Sequence, residues 1–308
     1  MSQVIHNFLG VFGHVNLDYL MEVEALPKPN SSVQVSNVRR FFGGTGSNIA
    51  MMASSMGVRT ALASFVGKDF PEDFKTALFK AGVDTYDLAE IEGYMTPTCR
   101  IMTDKKGDQI CIMDQGPMGE MDDFPIAMHA LESSEIIHIG TGRPAYYKKV
   151  MKVAKKLGKR IHFDPAQELR YIYSPKAFSE LLDLSDALFV NQHELKIALK
   201  YLGLKEKDKL KLLDTVSLLV VTKGKDGSEI ITPSGVTSIP AIKPKKILDP
   251  TGAGDAYRAG FYAGLSRGMD LESCGMLGSS ASSFAIEARG PVGKLPTWDE
   301  VMGRAKMI

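Results

Sequence analysis

The fold is decided by the stretch Asp249-Pro250-Thr251-Gly252-Ala253-Gly254-Asp255-Ala256-Tyr257-Arg258-Ala259-Gly260-Phe261. The chain turns through its proline and first two glycines and then continues with the spacing of a helix. A turn of this kind gathers free backbone N–H groups at a helix N-terminus, where the helix dipole also favours negative charge. The sequence therefore predicts an anion-binding site at the start of this helix.

Asp255 is an unexpected residue at such a site, because a carboxylate repels an anion. A base that accepts a hydroxyl proton beside a phosphate being transferred would explain its presence. The alternative is that Asp255 only caps the first turn of the helix, an interaction worth about 1 kcal/mol.

The length and composition are those of an ordinary globular protein. A chain of 308 residues is long enough for one large α/β domain or two smaller ones. Lysine and arginine number 37, and aspartate and glutamate number 36, so the net charge is +1. This balance argues against a nucleic acid or an anionic membrane as the main partner.

The cysteines and the apolar segments indicate where the protein works. Cys99, Cys111 and Cys274 form no CxxC pair, and an odd number gives no disulfide framework, which favours a reducing compartment. No stretch reaches the ~20 apolar residues that span a bilayer, and the N-terminus lacks a signal-peptide pattern. We therefore expect a soluble, cytoplasmic protein.

Strand and helix patterns alternate along most of the chain, with little interruption after residue 124. This alternation predicts an α/β fold in which a doubly wound, mostly parallel sheet is flanked by helices. The predicted strands are residues 8–12, 60–65, 135–139, 160–163, 187–190 and 217–221. The predicted helices include residues 49–56, 70–81, 146–157, 175–182, 193–202 and 271–287.

A second pattern interrupts the N-terminal half. Residues 33–42 alternate like a half-exposed strand, and residues 98–102 and 109–113 are two alternating runs joined by a turn. This antiparallel pair does not fit a parallel sheet. We expect a small β-sheet lid, inserted at about residues 15–42 and 94–116 of a single domain spanning residues 1–308.

Polar residues follow several predicted strands, at the edge where open parallel sheets bind ligands. Those at or shortly after a strand end are Asn16, Asp18, Asp164, Gln167, Asn191, Glu194 and Thr222. A glycine-rich turn at residues 43–48 opens another helix, and its glycines would let a ligand approach the backbone. Taken alone, that turn is equally consistent with a simple strand-to-helix connection.

The helix after Asp255 carries Gly260 and Gly264 on a face with almost no side chains, and residues 271–287 repeat this feature. Each glycine costs about 1 kcal/mol relative to alanine in a helix. Something must therefore pack very close to the backbone. We expect the two helices to lie against each other or against the sheet.

Together, these motifs resemble the signatures of the ribokinase-like (PfkB) family of carbohydrate and nucleoside kinases. Residues 43–48, with Gly57 and Gly67, resemble its N-terminal signature, and residues 249–255 resemble its C-terminal signature. Residues 191–194, Asn-Gln-His-Glu, resemble its Asn-x-x-Glu motif, and residues 222–227 resemble its nucleotide-side glycine loop. The motifs stand in the family's order and cover nearly the whole chain, which implies the ribokinase-like fold.

The resemblance implies a role for each matching residue in an ATP-dependent kinase. Asp255 would be the general base that activates the acceptor hydroxyl, and the N–H groups of Gly252, Ala253 and Gly254 would form an anion hole for the γ-phosphoryl group. Glu194 would act on Mg²⁺, through water. The nucleotide would be bound by Asn191, Thr222, Gly224 and Gly227. The acceptor would be bound by Asn16, Asp18, Gly43, Gly44, Asn48 and Gln167.

The resemblance also bears on the acceptor. The form of residues 249–261, the segment at residues 164–168 and the Leu-Pro-Thr-Trp ending at residues 295–298 look like the archaeal-type nucleoside kinases of this family. That likeness implies a ribonucleoside phosphorylated at its 5′-hydroxyl. A base would need an apolar wall. The lid residues that would supply one, unless they serve lid packing or a dimer contact, are Phe41, Phe42, Ile112 and Met113.

Two alternatives stay open at this point. One is a kinase of a free sugar, such as ribose, fructose or a sugar phosphate, and the other is a non-catalytic nucleotide or nucleoside sensor with the same fold. Relatives further imply a homodimer that forms through the lid and a monovalent cation near Asp249.

Overall fold

The structure, a computed structural model, describes residues 6–306. Its strands are β1 (Asn7–Phe12), β2 (Asn16–Val23), β3 (Val35–Gly43), β4 (Thr60–Gly67), β5 (Val83–Asp84), β6 (Leu88–Ile91), β7 (Thr98–Thr103), β8 (Gln109–Asp114), β9 (Ser134–Ile139), β10 (Arg160–Phe163), β11 (Ala187–Asn191), β12 (Leu218–Thr222), β13 (Ser228–Thr232) and β14 (Gly235–Ile239). Its helices are α1 (Thr45–Ser55), α2 (Glu72–Lys80), α3 (Met128–Ser133), α4 (Pro144–Lys156), α5 (Pro175–Leu182), α6 (Gln192–Tyr201), α7 (Ala253–Leu265), α8 (Leu271–Ile286) and α9 (Trp298–Ala305).

The main sheet is built from short runs that are buried on both faces, as parallel strands are. Its order is β14-β13-β12-β11-β10-β9-β1-β4-β5, and β6 also pairs with β4. The pairs from β12 to β5 are parallel, while β13 and β14 add antiparallel strands at one edge. The predicted doubly wound α/β fold is confirmed.

Successive residues of each strand face opposite sides of the sheet, and each side carries its own core. Phe189 of β11 joins the core made with α1, α2, α7, α8 and α9. Its neighbours Leu188 and Val190 join the second core, made with α3, α4, α5 and α6. Among the described residues, no helix is both long and apolar enough to cross a membrane.

A second, small sheet stands beside the first, with the order β3-β2-β7-β8. Strand β2 pairs antiparallel with β3 and parallel with β7, and a hairpin joins β7 to β8. The expectation that Asn16 and Asp18 are the polar end of β1 is wrong. Strand β1 ends at Phe12, and Asn16 begins β2, where the two-residue period places Asn16 and Asp18 on one face.

The face of α7 that lacks side chains packs against α8, as expected. A Cβ atom on Gly260 would lie 2.8 Å from the carbonyl carbon of Leu277 and 2.9 Å from Cβ of Ala281. A Cβ atom on Gly264 would lie 2.8 Å from Sγ of Cys274. Both separations are too short for a real side chain, so the contact between α7 and α8 requires glycine.

We predict that Gly260→Ala destabilises the protein by about 2 kcal/mol, because overpacking outweighs the gain in helix propensity. Gly303→Ala is the matched control, since Gly303 also lies in a helix but has open space around its Cβ position. It should stabilise the protein by roughly 0.5–1 kcal/mol. Urea unfolding of both variants measures the two changes. Equal effects at the two glycines would contradict the close packing of α7 and α8.

Candidate active site

Two adjacent cavities lie where the carboxyl edge of the main sheet meets the small sheet; we name them the Asp18 cavity and the Asn191 cavity. The predicted residues that line the Asp18 cavity are Asn16, Asp18, Gly44, Asn48, Gln167, Gly252, Ala253, Gly254 and Asp255. Those that line the Asn191 cavity are Gln167, Asn191, Glu194, Thr222, Gly224, Gly254 and Asp255. Gly254 and Asp255 therefore stand in the wall shared by both cavities.

Two of the predicted glycines lie outside both linings and shape the backbone instead. A Cβ atom on Gly43 would fall on the carboxylate of Asp18, so Gly43 makes room for that side chain. Gly227 has φ of 81°, and a Cβ atom there would fall on the carbonyl oxygen of Ile239. Gly227 thus allows the turn that leads into β13.

The turn at residues 252–254 presents backbone donors to the shared wall. Gly252 is the N-cap of α7 with φ of 78°, and a Cβ atom there would lie 2.7 Å from Cβ of Pro291. The N–H of Ala253 donates to the carbonyl of Pro250 at 3.2 Å. The N–H groups of Gly252, Gly254 and Asp255 donate to no other group within residues 6–306. This turn can therefore hold an anion.

Asp255 faces Asn48 across the Asp18 cavity. The side-chain amide of Asn48 donates to Oδ2 of Asp255 at 2.7 Å. Burial raises the pKa of Asp255 to about 7, although the bond from Asn48 and the charge of Arg258 lower it in part. Oδ1 of Asn48 is buried and accepts no hydrogen bond from the described residues. A ligand hydroxyl would satisfy it.

Asp18 forms a second polar centre in the same cavity. The side-chain amide of Asn16 donates to Oδ1 of Asp18 at 2.5 Å. Burial is the main cause that raises the pKa of Asp18 to about 6. Asp249 behaves differently: although burial raises its pKa, hydrogen bonds from Thr251 and from the N–H of Gly290, at 2.9 and 3.0 Å, lower it.

Asn191 and Glu194 cap the N-terminus of α6. Oδ1 of Asn191 accepts from the N–H groups of His193 and Glu194, and Oε2 of Glu194 accepts from the N–H of Asn191 at 2.7 Å. Burial raises the pKa of Glu194. No group of three or more His, Cys, Asp or Glu side chains in the described part of the chain could hold a metal ion by itself. A metal here would need ligands from a substrate or from water.

The four lid residues left open as an apolar wall or as lid packing divide between these roles. Of the four residues, Met113 lines the Asp18 cavity, where Cys99 and Ile101 of β7 join it. Phe42 instead stacks on Phe74, with ring centroids 4.3 Å apart. The two others, Phe41 and Ile112, do not line this cavity. In strand β3, the side chain of Phe42 points toward α2. The alternation of apolar and polar residues in this strand is too loose to predict which face of the strand is buried.

The sequence analysis did not predict a second polar group in the Asp18 cavity, made by His14, Thr141 and Glu168. Nδ1 of His14 lies 2.8 Å from the hydroxyl of Thr141 and 3.9 Å from Oε1 of Glu168, and its Nε2 contacts Gln115. Burial raises the pKa of Glu168. His14 and Thr141 each lie within two residues of a strand end, the same signal that pointed to Asp164.

A buried ion pair, also unpredicted, lies in the wall of the Asn191 cavity. Arg258 on α7 and Asp164 after β10 are 5% and 3% exposed, and both line the Asn191 cavity. The guanidinium donates twice to the carboxylate, at 2.6 and 3.1 Å.

Comparison with known proteins finds similar sequences and a similar structure over nearly the whole chain. The profile of the pfkB family carbohydrate kinases matches residues 7–298. The chain is 38% identical to a nucleoside kinase of Methanocaldococcus jannaschii, over 95% of this chain and 94% of the relative. It is 35% identical to a nucleoside kinase of Methanothermobacter thermautotrophicus, over 95% and 93%. The crystal structure of the M. jannaschii nucleoside kinase, an archaeal member of the ribokinase family, matches with a TM-score of 0.90 at 37% identity, covering 98% of this chain and 99% of that one.

We predict that Asp255→Asn stabilises the folded protein at alkaline pH. The pKa of Asp255 is raised from its ordinary 3.8 to about 7, so ionisation costs stability as the pH rises through this window, and asparagine does not ionise. The variant should exceed the wild type by on the order of 2 kcal/mol at pH 8.5, and the difference should vanish toward pH 4.

Urea unfolding at pH 4.5, 6.5 and 8.5 measures this difference. Asp123→Asn, at an exposed aspartate, is the control and should show no such trend. A wild type as stable as Asp255→Asn at pH 8.5 would contradict the environment assigned to Asp255.

Proposed function

The chain belongs to the pfkB family of carbohydrate kinases and is therefore a phosphotransferase that acts on a hydroxyl group, and we propose that its acceptor is the 5′-hydroxyl of a ribonucleoside and its donor ATP. The observation that carries this proposal is the position of Asp255 in the wall shared by the two cavities. An acceptor in one cavity and a nucleotide in the other would meet at its carboxylate. The two archaeal relatives, similar over nearly the whole chain, are nucleoside kinases.

In the proposed reaction, Asp255 accepts the proton of the acceptor hydroxyl as the phosphoryl group passes in line. A base works best when its pKa lies near the working pH, and the pKa of about 7 meets that condition. The N–H groups of Gly252 and Gly254 support the role of an anion hole, since they have no acceptor among the described residues. Asn48 holds Asp255 through its amide while its carbonyl oxygen is left for a substrate hydroxyl.

The nucleotide would occupy the Asn191 cavity, beside Thr222 and Gly224. Glu194 would hold Mg²⁺ there, through water, because one carboxylate with phosphate oxygens is the usual magnesium environment in kinases. When bound, the ion would neutralise charge on the phosphates. The carboxylate of Glu194 keeps Oε1 for this task, since the bond from Asn191 uses Oε2.

The acceptor would occupy the Asp18 cavity. Asn16 and Asp18 suit a vicinal diol, since a carboxylate can accept from two neighbouring hydroxyls. The rest of the cavity is both polar, at His14 and Glu168, and apolar, at Met113. This mixture suits a nucleobase better than a bare sugar, because a base carries hydrogen-bonding edges around an apolar face.

A panel of acceptors tests this proposal. With ATP and Mg²⁺, we expect ribonucleosides to yield 5′-monophosphates with kcat/KM at least 10²-fold above that for ribose, fructose or ribose phosphates, because only a nucleoside fills the whole cavity. Chromatography identifies the product. Asp255→Asn is the control, and its kcat should fall about 10²–10⁴-fold while ATP binding persists. Preference for a sugar would refute the nucleoside acceptor, and ATP binding without any transfer would support a sensor.

We also propose that the small sheet covers the acceptor and pairs two copies of the chain. The apolar side chains of Val38 on β3 and Ile112 on β8 are 55% and 49% exposed, and such residues on edge strands favour association. Light scattering at micromolar concentration should show a dimer that Val38→Lys with Ile112→Lys converts to a monomer. Phe79→Lys, at an 81% exposed residue of α2, should leave the dimer intact. A monomeric wild type would rule this assembly out.

A further inference from the structure

The ion pair of Arg258 and Asp164 joins two distant parts of the chain beside the proposed base. The residues are 94 positions apart in sequence. Asp164 directly follows β10, and its own N–H donates to the carbonyl of Ile139 at 2.8 Å, which fixes it to the sheet. Arg258 lies on α7, three residues after Asp255, and therefore on the same side of the helix. The pair connects the edge of the main sheet to the first turns of α7.

Arg258 also contacts the turn that carries the anion donors. Its Nη1 donates to the carbonyl of Gly254 at 3.2 Å, so the guanidinium bends back over the first turn of α7. A Cβ atom on Gly254 would lie 3.2 Å from the same nitrogen. One guanidinium therefore holds the sheet edge with its Nε and Nη2 atoms and the 252–254 turn with Nη1.

A second buried polar group lies near Asp164 without bonding to it, since Nε2 of His138 makes no hydrogen bond with the described residues. Nε2 of His138 lies 3.7 Å from Oδ2 of Asp164, and Nδ1 of His138 lies 2.8 Å from the hydroxyl of Tyr262. Burial lowers the pKa of His138 to about 4, so its ring is neutral. The hydroxyl of Tyr262 also lies 3.2 Å from Nδ1 of His162, so two buried imidazoles share it. Tyr262 lies one turn after Arg258 on the same helix.

This arrangement is poorly explained by stability alone. A buried ion pair gives up so much hydration that well-packed apolar residues often replace it without loss. Here the charges are kept in the lining of a cavity, next to Asp255 and Glu194. Ionisable groups that are buried at a cleft in this way are more typical of functional sites.

We propose that Arg258 and Asp164 are positioning residues, and that their ion pair holds the first turn of α7 so that Asp255 and the 252–254 turn face the two cavities in register. Asp164 acts through Arg258, and neither residue accepts the substrate proton. The inference rests on the proposed role of Asp255 as the base of a kinase, whichever acceptor the enzyme uses.

The charged and polar groups that face Asp255 give this proposal a directional test. They are Asn48 on α1, Asp18 on β2, Asp164 after β10 and Arg258 on α7 itself. The positive charge of Arg258 lowers the pKa of Asp255, and the negative charge of Asp164 raises it. The two members of one ion pair should therefore move the acidic limb of the pH–rate profile in opposite directions. Loss of an ion pair away from Asp255 has no reason to do so.

The experiment measures kcat and KM against pH for three variants, with whichever acceptor the wild type phosphorylates. Arg258→Met should lower kcat about 10²-fold, because a misplaced base loses that much rate, and should move the acidic limb up by about one pH unit. Asp164→Asn should lower kcat less and move the limb down. Arg258→Lys keeps the charge but not the double hydrogen bond. Its acidic limb should therefore stay at the wild-type pH while its kcat falls. KM for the acceptor should change less than kcat in each variant, because neither residue lines the Asp18 cavity.

Arg304→Met is the matched control, because Arg304 makes an equally paired ion pair with Glu287, at 2.8 and 3.1 Å, away from both cavities. It should lower the unfolding temperature without moving the limb or kcat. Limbs that shift the same way for Arg258→Met and Asp164→Asn, or that do not shift, would overturn the proposal. If Arg258→Met does not fold, Asp164→Asn alone tests the proposal. An acidic limb that stays at the wild-type pH or moves to higher pH in Asp164→Asn would then overturn the proposal. A wild type that prefers sugars would refute the nucleoside acceptor and leave this test intact.

Discussion

The contact between α7 and α8 is the constraint on which the site depends. Because Gly260 and Gly264 carry no side chains, the backbone of α7 lies directly against residues of α8. The approach also fixes the start of α7, where the hydroxyl of Ser282 on α8 donates to the carbonyl of Ala253 at 2.7 Å. The carbonyl of Ile286, at the end of α8, accepts the N–H of Leu248 at 2.9 Å. The helix N-terminus is thus held by α8 and by Arg258, since its N-cap residue Gly252 makes no side-chain cap.

Once α7 is held there, the electrostatics of Asp255 follow from competing effects. The helix dipole and the charge of Arg258 favour the carboxylate, while burial and the nearby Asp18 and Asp164 favour the acid. Burial dominates, and the pKa of about 7 leaves the group half ionised near neutral pH. A normal carboxyl, with a pKa near 4, would be a far weaker base. A nucleotide in the next cavity would raise the pKa further, and Arg258 is the cation that opposes this.

The sequence predicted those features that depend on local geometry. The glycine turn before α7 and the parallel strands both follow from residue types at short spacing. It failed at β2, because that strand lacks a clean alternation and exists through its pairing with β3 and β7 on either side. It also failed at the partner of Arg258. A residue 94 positions away is chosen by the way the sheet and α7 pack, which no local pattern encodes.

The turn also explains why a carboxylate sits at an anion site. The N–H of Ala253 is used within the turn, which leaves those of Gly252, Gly254 and Asp255. The proposed base and the anion donors thus belong to one turn of backbone, a few atoms apart. In the proposed reaction, Asp255 loses its negative charge when it accepts the hydroxyl proton. The repulsion it exerts on the phosphoryl group then disappears while the N–H donors stay, so proton acceptance itself strengthens the anion site as the transfer proceeds.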